Sequence, residues 1–258
     1  MSIKSLLVSI DASETGRERL DYALALAERH RAYLLGYYVS PTVAASIEGS
    51  PEEIAEALHQ DFIRQLEVRG LDGAWVLGEH PLAADIAEQI RYVDLALIGL
   101  GSPDDIGPEP QGFQVADIVR EAGRPILGLP ISRLTPPPLR SVIIAWDGSA
   151  GAARAVHEAL PLLSSAAEIR VVSLGAEGPA KGGRLVAALA RHGLAATVDT
   201  TPSVEADIGS ELLQRAALYE ADLVVAGAYG HAKLGEDLFG GPSNALLHQM
   251  LVPVLVSH

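Results

Sequence analysis

Residues 139–149 read LRSVIIAWDGS, and residues 3–13 read IKSLLVSIDAS. Superimposing Asp147 on Asp11 sets the two stretches 136 residues apart. Two further matches follow in the same order, both at a spacing of 128: DLVVAGAYG on DLALIGLG, with Asp222 on Asp94, and VPVLVSH on RPILGLP, with Pro253 on Pro125. Ordered self-similarity with one net shift of eight residues describes two copies of a single unit. The proline-rich joint TPPPLR, Thr135 to Arg140, stands where the copies meet. The expected organisation is therefore a first domain over 1–134, a linker over 135–140 and a second domain over 141–258. A chain of 258 residues suits two domains of about 130 residues.

Within each copy, strand and helix patterns alternate. SLLVSI is an apolar run that reads as a buried strand, and residues 14–30 carry Leu20, Ala23, Leu24 and Ala27 at helical spacing. AYLLGYYV and AWVLG read as the next strands, separated by a helix from about Pro51 to Val68 that Ser50 and Glu53 open in capping-box spacing. A helix over about 82–92, the strand LALIGL, a helix near 113–122 and the strand PILGL complete the first copy. In the second, the strands are SVIIAW, IRVVSL, AATVDT, DLVVAG and VPVLVS. Such alternation implies parallel pairing with right-handed crossovers, hence an α/β fold of two doubly wound sheets. Ligands of such sheets bind beyond the carboxyl ends of the strands, where the strand order reverses. Asp147 stands just past SVIIAW, and a glycine-rich loop starts just past DLVVA. If those strands are neighbours, the carboxylate and the glycines frame one crevice.

The composition narrows the function classes. A formal charge of −14 and the lack of a clustered Lys/Arg patch argue against a nucleic-acid partner. With no cysteine, disulfides, zinc–thiolate sites and thiol nucleophiles are excluded. The opening MSIKSLLVSID is too short an apolar run for a signal segment, and no 18 consecutive residues are apolar. The expectation is a cytoplasmic chain without a membrane partner.

The loop itself is GAYGHAKLGEDLFGGPSN, Gly227 to Asn244. Gly227, Gly230 and Gly240 are spaced G-x2-G-x9-G, and Pro242 and Ser243 open an apparent helix, PSNALLHQM. Backbone N–H groups at a helix start suit a phosphate, and glycine lets a ligand come close to them. A loop that only turns the chain would also use glycine. Asp147 likewise has a plainer role, capping the next helix, which its counterpart Asp11 would share. His231 reads as a solvent-facing loop residue.

Taken together, the strand-end aspartate, the G-x2-G-x9-G loop and the closing VPVLV strand resemble the universal stress protein family, here as a tandem pair covering nearly the whole chain. The resemblance implies five-stranded sheets of order 3-2-1-4-5 and, for members with the full motif, binding of ATP or AMP. Carried over residue by residue, Asp147 would meet the adenosine and the backbone around Leu174 the adenine. Gly227 and Gly230 would flank the ribose and phosphates, Gly240, Gly241 and Ser243 would cradle phosphate, and Ala145 and Asn244 would complete the set. Mg²⁺ would accompany only a triphosphate. The family commonly has Ser or Thr directly after the third glycine, whereas this chain has Gly241, which removes a hydroxyl but keeps an N–H. The resemblance also implies that the closing strands pair across a pseudo-symmetric interface within one chain, with a homodimer as a further state.

The first copy serves as an internal control. At the 128 spacing, Gly99 answers to Gly227, Ser102 to Gly230, Gly112 to Gly240, Phe113 to Gly241 and Val115 to Ser243. Asp104, Asp105 and Glu109 crowd the same loop, and carboxylates repel a phosphate. The first domain reads as a degenerate partner of the second. Other chemistries find no support: there is no Walker-type loop, HEALP at 157–161 has Pro161 where a zincin helix needs its second histidine, and GSAG at 148–151 lacks the spacing of a nucleophile elbow. HEALP and GSAG both read as helix starts. Slow ATP hydrolysis is compatible with these residues, but none can be given a catalytic role. Two functions stand: a stress-response protein that binds ATP or AMP through its second domain, and a nucleotide-free adaptor of the same fold acting through protein partners.

Overall fold

A computed structural model of the chain describes residues 2–39, 50–78, 83–100, 115–130, 134, 138–173, 178–200, 208–228 and 250–257. The chain divides into two compact units, with the boundary between Pro137 and Pro138. The first comprises β1 (Ser5–Ile10), α1 (Glu14–His30), β2 (Tyr33–Val39), α2 (Pro51–Arg69), β3 (Gly73–Gly78), α3 (Ala83–Ile90), β4 (Leu95–Gly99), α4 (Val115–Ala122) and β5 (Ile126–Leu129). The second comprises β6 (Ser141–Ala145), α5 (Ala150–Leu163), β7 (Glu168–Val172), α6 (Gly178–Arg191), β8 (Thr197–Val198), α7 (Ile208–Leu218), β9 (Leu223–Gly227) and β10 (Val254–Ser257).

Strands run in the order β3-β2-β1-β4-β5 in the first unit and β8-β7-β6-β9-β10 in the second. Each is the order 3-2-1-4-5, and the described pairings are parallel. Central strands are buried along their whole length because helices cover both faces of a parallel sheet, so their sequences are apolar runs without alternation.

The three sequence matches that reveal the duplication have a shared structural cause. Asp94 Oδ2 accepts from the N–H groups of Lys4 and Ser5 at 2.7 and 3.0 Å, and Asp222 Oδ2 accepts from those of Arg140 and Ser141 at 2.6 and 3.0 Å. Each aspartate thus ties the entry of the fourth strand of its unit to the entry of the first. At the other end of each fourth strand, Leu100 N–H donates to Leu129 O and Ala228 N–H to Ser257 O, both at 2.7 Å. Buried backbone donors need such partners, so both the charge pattern and the strand lengths recur.

Local signals define the helix starts. Ser50 and Glu53 close the expected capping box at 2.9 and 3.2 Å, and Ser13 and Ser149 cap α1 and α5 through the N–H groups of Gly16 and Ala152. GSAG is therefore a helix start, but HEALP is not. It occupies the last two turns of α5, and Pro161 lies inside the helix. A proline there removes one intrahelical bond near the end, where the helix can still close through Ser164 N–H to Leu160 O at 3.1 Å. The strand expected from AATVDT is only two residues long, Thr197–Val198, as suits the sheet edge.

Candidate functional site

β6 pairs with β7 on one flank and with β9 on the other, with Val142 opposite Leu223 and Ile144 opposite Val225. The chain leaves β6 towards β7 and β8, then returns to the opposite flank at β9. The strand order therefore reverses between β6 and β9, and their carboxyl ends border a crevice. Asp147 and Gly227 are thus brought to one edge of the sheet, with Ala145 buried at the end of β6.

Asp147 is half-buried, and its Oδ1 accepts from Ser149 N–H at 2.8 Å. The same short-range bond joins Asp11 Oδ1 to Ser13 N–H, again at 2.8 Å. In both units the aspartate shapes the turn between strand and helix, while the serine two residues on is the actual cap. This shared role explains why both copies keep the aspartate, and it makes the residue alone a poor mark of a ligand site.

The two carboxylates nevertheless differ. Asp11 is buried and ion-paired through Oδ2 with the guanidinium of Arg19, whose Nε also donates to Ser9 O at 2.8 Å. At the spacing that superimposes Asp11 on Asp147 and Ser13 on Ser149, Arg19 corresponds to Ala155, which is fully buried. The first unit thus neutralises its strand-end carboxylate from its own helix, and the second has no arginine there to do so. Sequence reasoning missed Arg19, although it lies on the buried row of α1 with Gly16, Leu20 and Ala23. An arginine on an apolar helix row calls for a buried acidic partner.

Gly227 has a specific packing reason. A Cβ there would clash with Ala152 N and come within 2.5 Å of Gly151 C, while a Cβ on Gly151 would come within 2.7 Å of Ala228 O. The first turn of α5 therefore rests directly on the end of β9, and its positive end faces the start of the glycine-rich loop. Gly148, directly after Asp147, has φ +82°, a left-handed conformation that favours glycine.

One buried hydroxyl at this edge is orphaned. Ser173 directly follows β7 at 8% exposure, and its Oγ has no hydrogen-bond partner among the described residues. It lies beside the first turn of α6, 3.8 Å from the position a Cβ on Gly178 would take. A buried hydroxyl left unpaired is costly unless something meets it.

A second cluster of charge in this unit has a structural role. Arg215 Nε stands 2.7 Å from Asp199 Oδ2, and its NH2 stands 2.5 Å from Glu211 Oε1; all three side chains are buried. Tyr219 Oη donates to Asp199 Oδ1 at 2.8 Å, and the Arg170 guanidinium lies 4.2 Å from the Tyr219 ring centre. The network fastens α7 to the end of β8. Among the described residues no group of three His, Asp or Glu could hold a metal ion. Nor is any described helix long and apolar enough to cross a membrane.

Leu174, Gly230, His231, Gly240, Gly241, Ser243 and Asn244 lie outside the described residues, as do Ser102, Asp104, Asp105, Glu109, Gly112 and Phe113. The side chain of Val115 does too.

Residues 138–258 match the sequence pattern of the universal stress protein family. No curated protein matches the chain significantly in sequence. Among solved structures, a universal stress protein from Archaeoglobus fulgidus DSM 4304 is similar at 16% identity over 98% of this chain and 95% of its own, with a TM-score of 0.69. A functionally unknown protein from Pseudomonas aeruginosa PAO1 is similar at 16% identity over 99% of this chain and 92% of its own, with a TM-score of 0.65. At that identity the likeness speaks for the fold. A universal stress protein from Archaeoglobus fulgidus in complex with dAMP aligns with 50% of this chain and 98% of its own at 16% identity, with a TM-score of 0.36.

Proposed function

We propose that the second unit of this chain, whose residues 138–258 belong to the universal stress protein family, binds one adenine nucleotide, ATP or AMP, at the carboxyl edge of β6 and β9. The observation that carries this reading is the reversal of strand order between β6 and β9, which brings Asp147 and Gly227 to one carboxyl edge of the stretch that matches the family. The orphaned Ser173 hydroxyl supports it, because a polar ligand at this edge would give that group a partner. Asp147 would face the adenosine and the backbone at Leu174 the adenine. Gly230, Gly240, Gly241, Ser243 and Asn244 would hold the phosphates through N–H groups, with Ala145 and Gly227 forming the floor. Mg²⁺ would enter only with ATP. The bound nucleotide would serve as a signal in a stress response, its occupancy changing the surface offered to protein partners.

A second reading, a nucleotide-free adaptor, draws on one observation. The bareness of Gly227 is accounted for by the seating of α5, so this glycine does not by itself call for a ligand. The two readings separate on purified full-length protein. Denaturation followed by mass spectrometry should release an adenine nucleotide, and titration of the stripped chain should give saturable binding. Failure of ATP and AMP alike to bind would leave the adaptor.

A further inference from the structure

We infer that the amino edge of the first unit's sheet, where Arg31, Tyr33, Lys4, Arg91, Tyr92 and Arg124 stand in one row, is a docking surface for an acidic segment of a partner protein. The surface belongs to the first unit and does not depend on nucleotide binding by the second. Its residues are scattered in the sequence, and the strand entries gather them. Tyr33 N–H donates to Lys4 O at 2.8 Å, Lys4 N–H to Asp94 Oδ2 at 2.7 Å and Ala96 N–H to Pro125 O at 3.2 Å, so the entries of β2, β1, β4 and β5 lie side by side. The Arg91 guanidinium donates to Glu121 O at 3.1 Å, and Arg124 Nε donates to Arg91 O at 3.4 Å. Adjacent strands lie about 4.8 Å apart, so the row spans about 14 Å, the reach of an extended segment of about five residues.

Charge and exposure fit that occupant. Lys4, Arg31, Arg91 and Arg124 are all exposed, and none forms an ion pair with a described residue. Asp94 turns its carboxylate to the N–H groups of Lys4 and Ser5, while Asp72 and Glu121 are exposed acids beside the row. The balance is cationic, in a chain whose formal charge is −14. Tyr33 is 43% exposed and Tyr92 77%, and tyrosine with arginine is the pairing that most often carries binding energy between proteins. A nucleic acid is a poorer fit, because a few cations interrupted by carboxylates release few counterions.

Helix dipoles account for some of the charge. Arg31 caps the carboxyl end of α1, where a cation is stabilising. They do not account for exposed tyrosines, and the second unit shows that the fold does not require them. There Glu168 lies opposite the first residue of β6, as Tyr33 lies opposite the first residue of β1. At the spacing of 128, Glu220 answers to Tyr92 and Val252 to Arg124. Both units keep the aspartate latch at this edge, yet only the first surrounds it with aromatic rings and free cations.

The test is fluorescence anisotropy of a labelled peptide of alternating Glu and Leu, titrated with the full chain, beside the same peptide with Lys for Glu, a single-stranded oligonucleotide and phosphatidylcholine vesicles containing phosphatidylserine. The acidic peptide alone should bind. Tyr33→Glu with Tyr92→Glu, which installs the second unit's residues, should weaken it by at least about tenfold, and Arg124→Met by about threefold. Tyr33→Phe with Tyr92→Phe should bind as wild type, and affinity should fall when salt is raised from about 0.05 to 0.5 M. Both tyrosines are exposed, so these variants should melt with the wild type. No binding of the acidic peptide, equal binding of the Lys peptide, tighter binding of the oligonucleotide or the vesicles, or wild-type affinity in both the Glu pair and Arg124→Met would each overturn the proposal.

Discussion

Arg19 and Asp11 form a buried ion pair at the carboxyl end of β1, and the second unit has an alanine, Ala155, where that arginine would stand. The same fold thus appears twice with the same turn-forming aspartate, once with an arginine of its own helix beside it and once with an alanine at that position. Substitutions on either side of this contrast have different expected effects, on stability in the first unit and on ligand binding in the second.

Arg19→Met should destabilise the first unit by about 3–5 kcal/mol, because it leaves the Asp11 carboxylate buried without its partner. Adding Asp11→Asn should recover much of the loss. Chemical denaturation of the single and double variants measures both. A single variant as stable as wild type would show that the pair is not a structural lock.

Asp147→Ala should weaken AMP and ATP to a similar degree, about ten- to a hundredfold, since the carboxylate would face the adenosine common to both. Titration of the two ligands side by side decides it. A loss confined to ATP would move Asp147 to the phosphates.

Each chain should bind about one nucleotide. Isothermal titration of the full chain gives the stoichiometry, and Gly240→Val, which would fill the space of the phosphate cradle, should abolish it with the circular dichroism spectrum unchanged. A value near two would give the first unit a working site despite Arg19.

Gly227→Ala should act on the fold before it acts on the ligand. Its methyl group would meet the backbone of Gly151 and Ala152, which cannot give way as a side-chain tip can. A lowered melting temperature, with reduced protection of α5 amides in hydrogen exchange, is the expected outcome. Unchanged stability with lost binding would assign this glycine to the ligand instead.

Alkaline stability should respond to Tyr37. Burial, with a contribution from the Asp85 charge, pushes its hydroxyl up from 10.0 to about 12. The folded chain then keeps a proton that the unfolded chain releases earlier, so the stabilisation is full below about pH 10 and fades as pH rises towards about 12. Tyr37→Phe should flatten that decline in urea-unfolding midpoints measured between about pH 9 and 12. A decline equally steep in the variant would place its cause elsewhere.

The architecture was open to reading from the amino-acid order because its determinants are local or repeated. Strands buried on both faces appear as apolar runs, Ser50 and Glu53 announce a helix three residues apart, and the aspartates at 94 and 222 mark the same latch in both copies. The chain order of strands and helices, with the rule of right-handed crossovers, then leaves few sheets to choose from. The electrostatics of the crevice were not open in that way. Arg19 reaches Asp11 only because α1 folds back across the end of β1. Gly227, which reads as a ligand glycine in sequence, also seats a helix that begins 77 residues earlier, at Ala150. Periodicity records which face of an element is buried, but not which distant side chain will lie against it. That is decided by the crossovers and by how closely the backbones approach, and so by the tertiary structure.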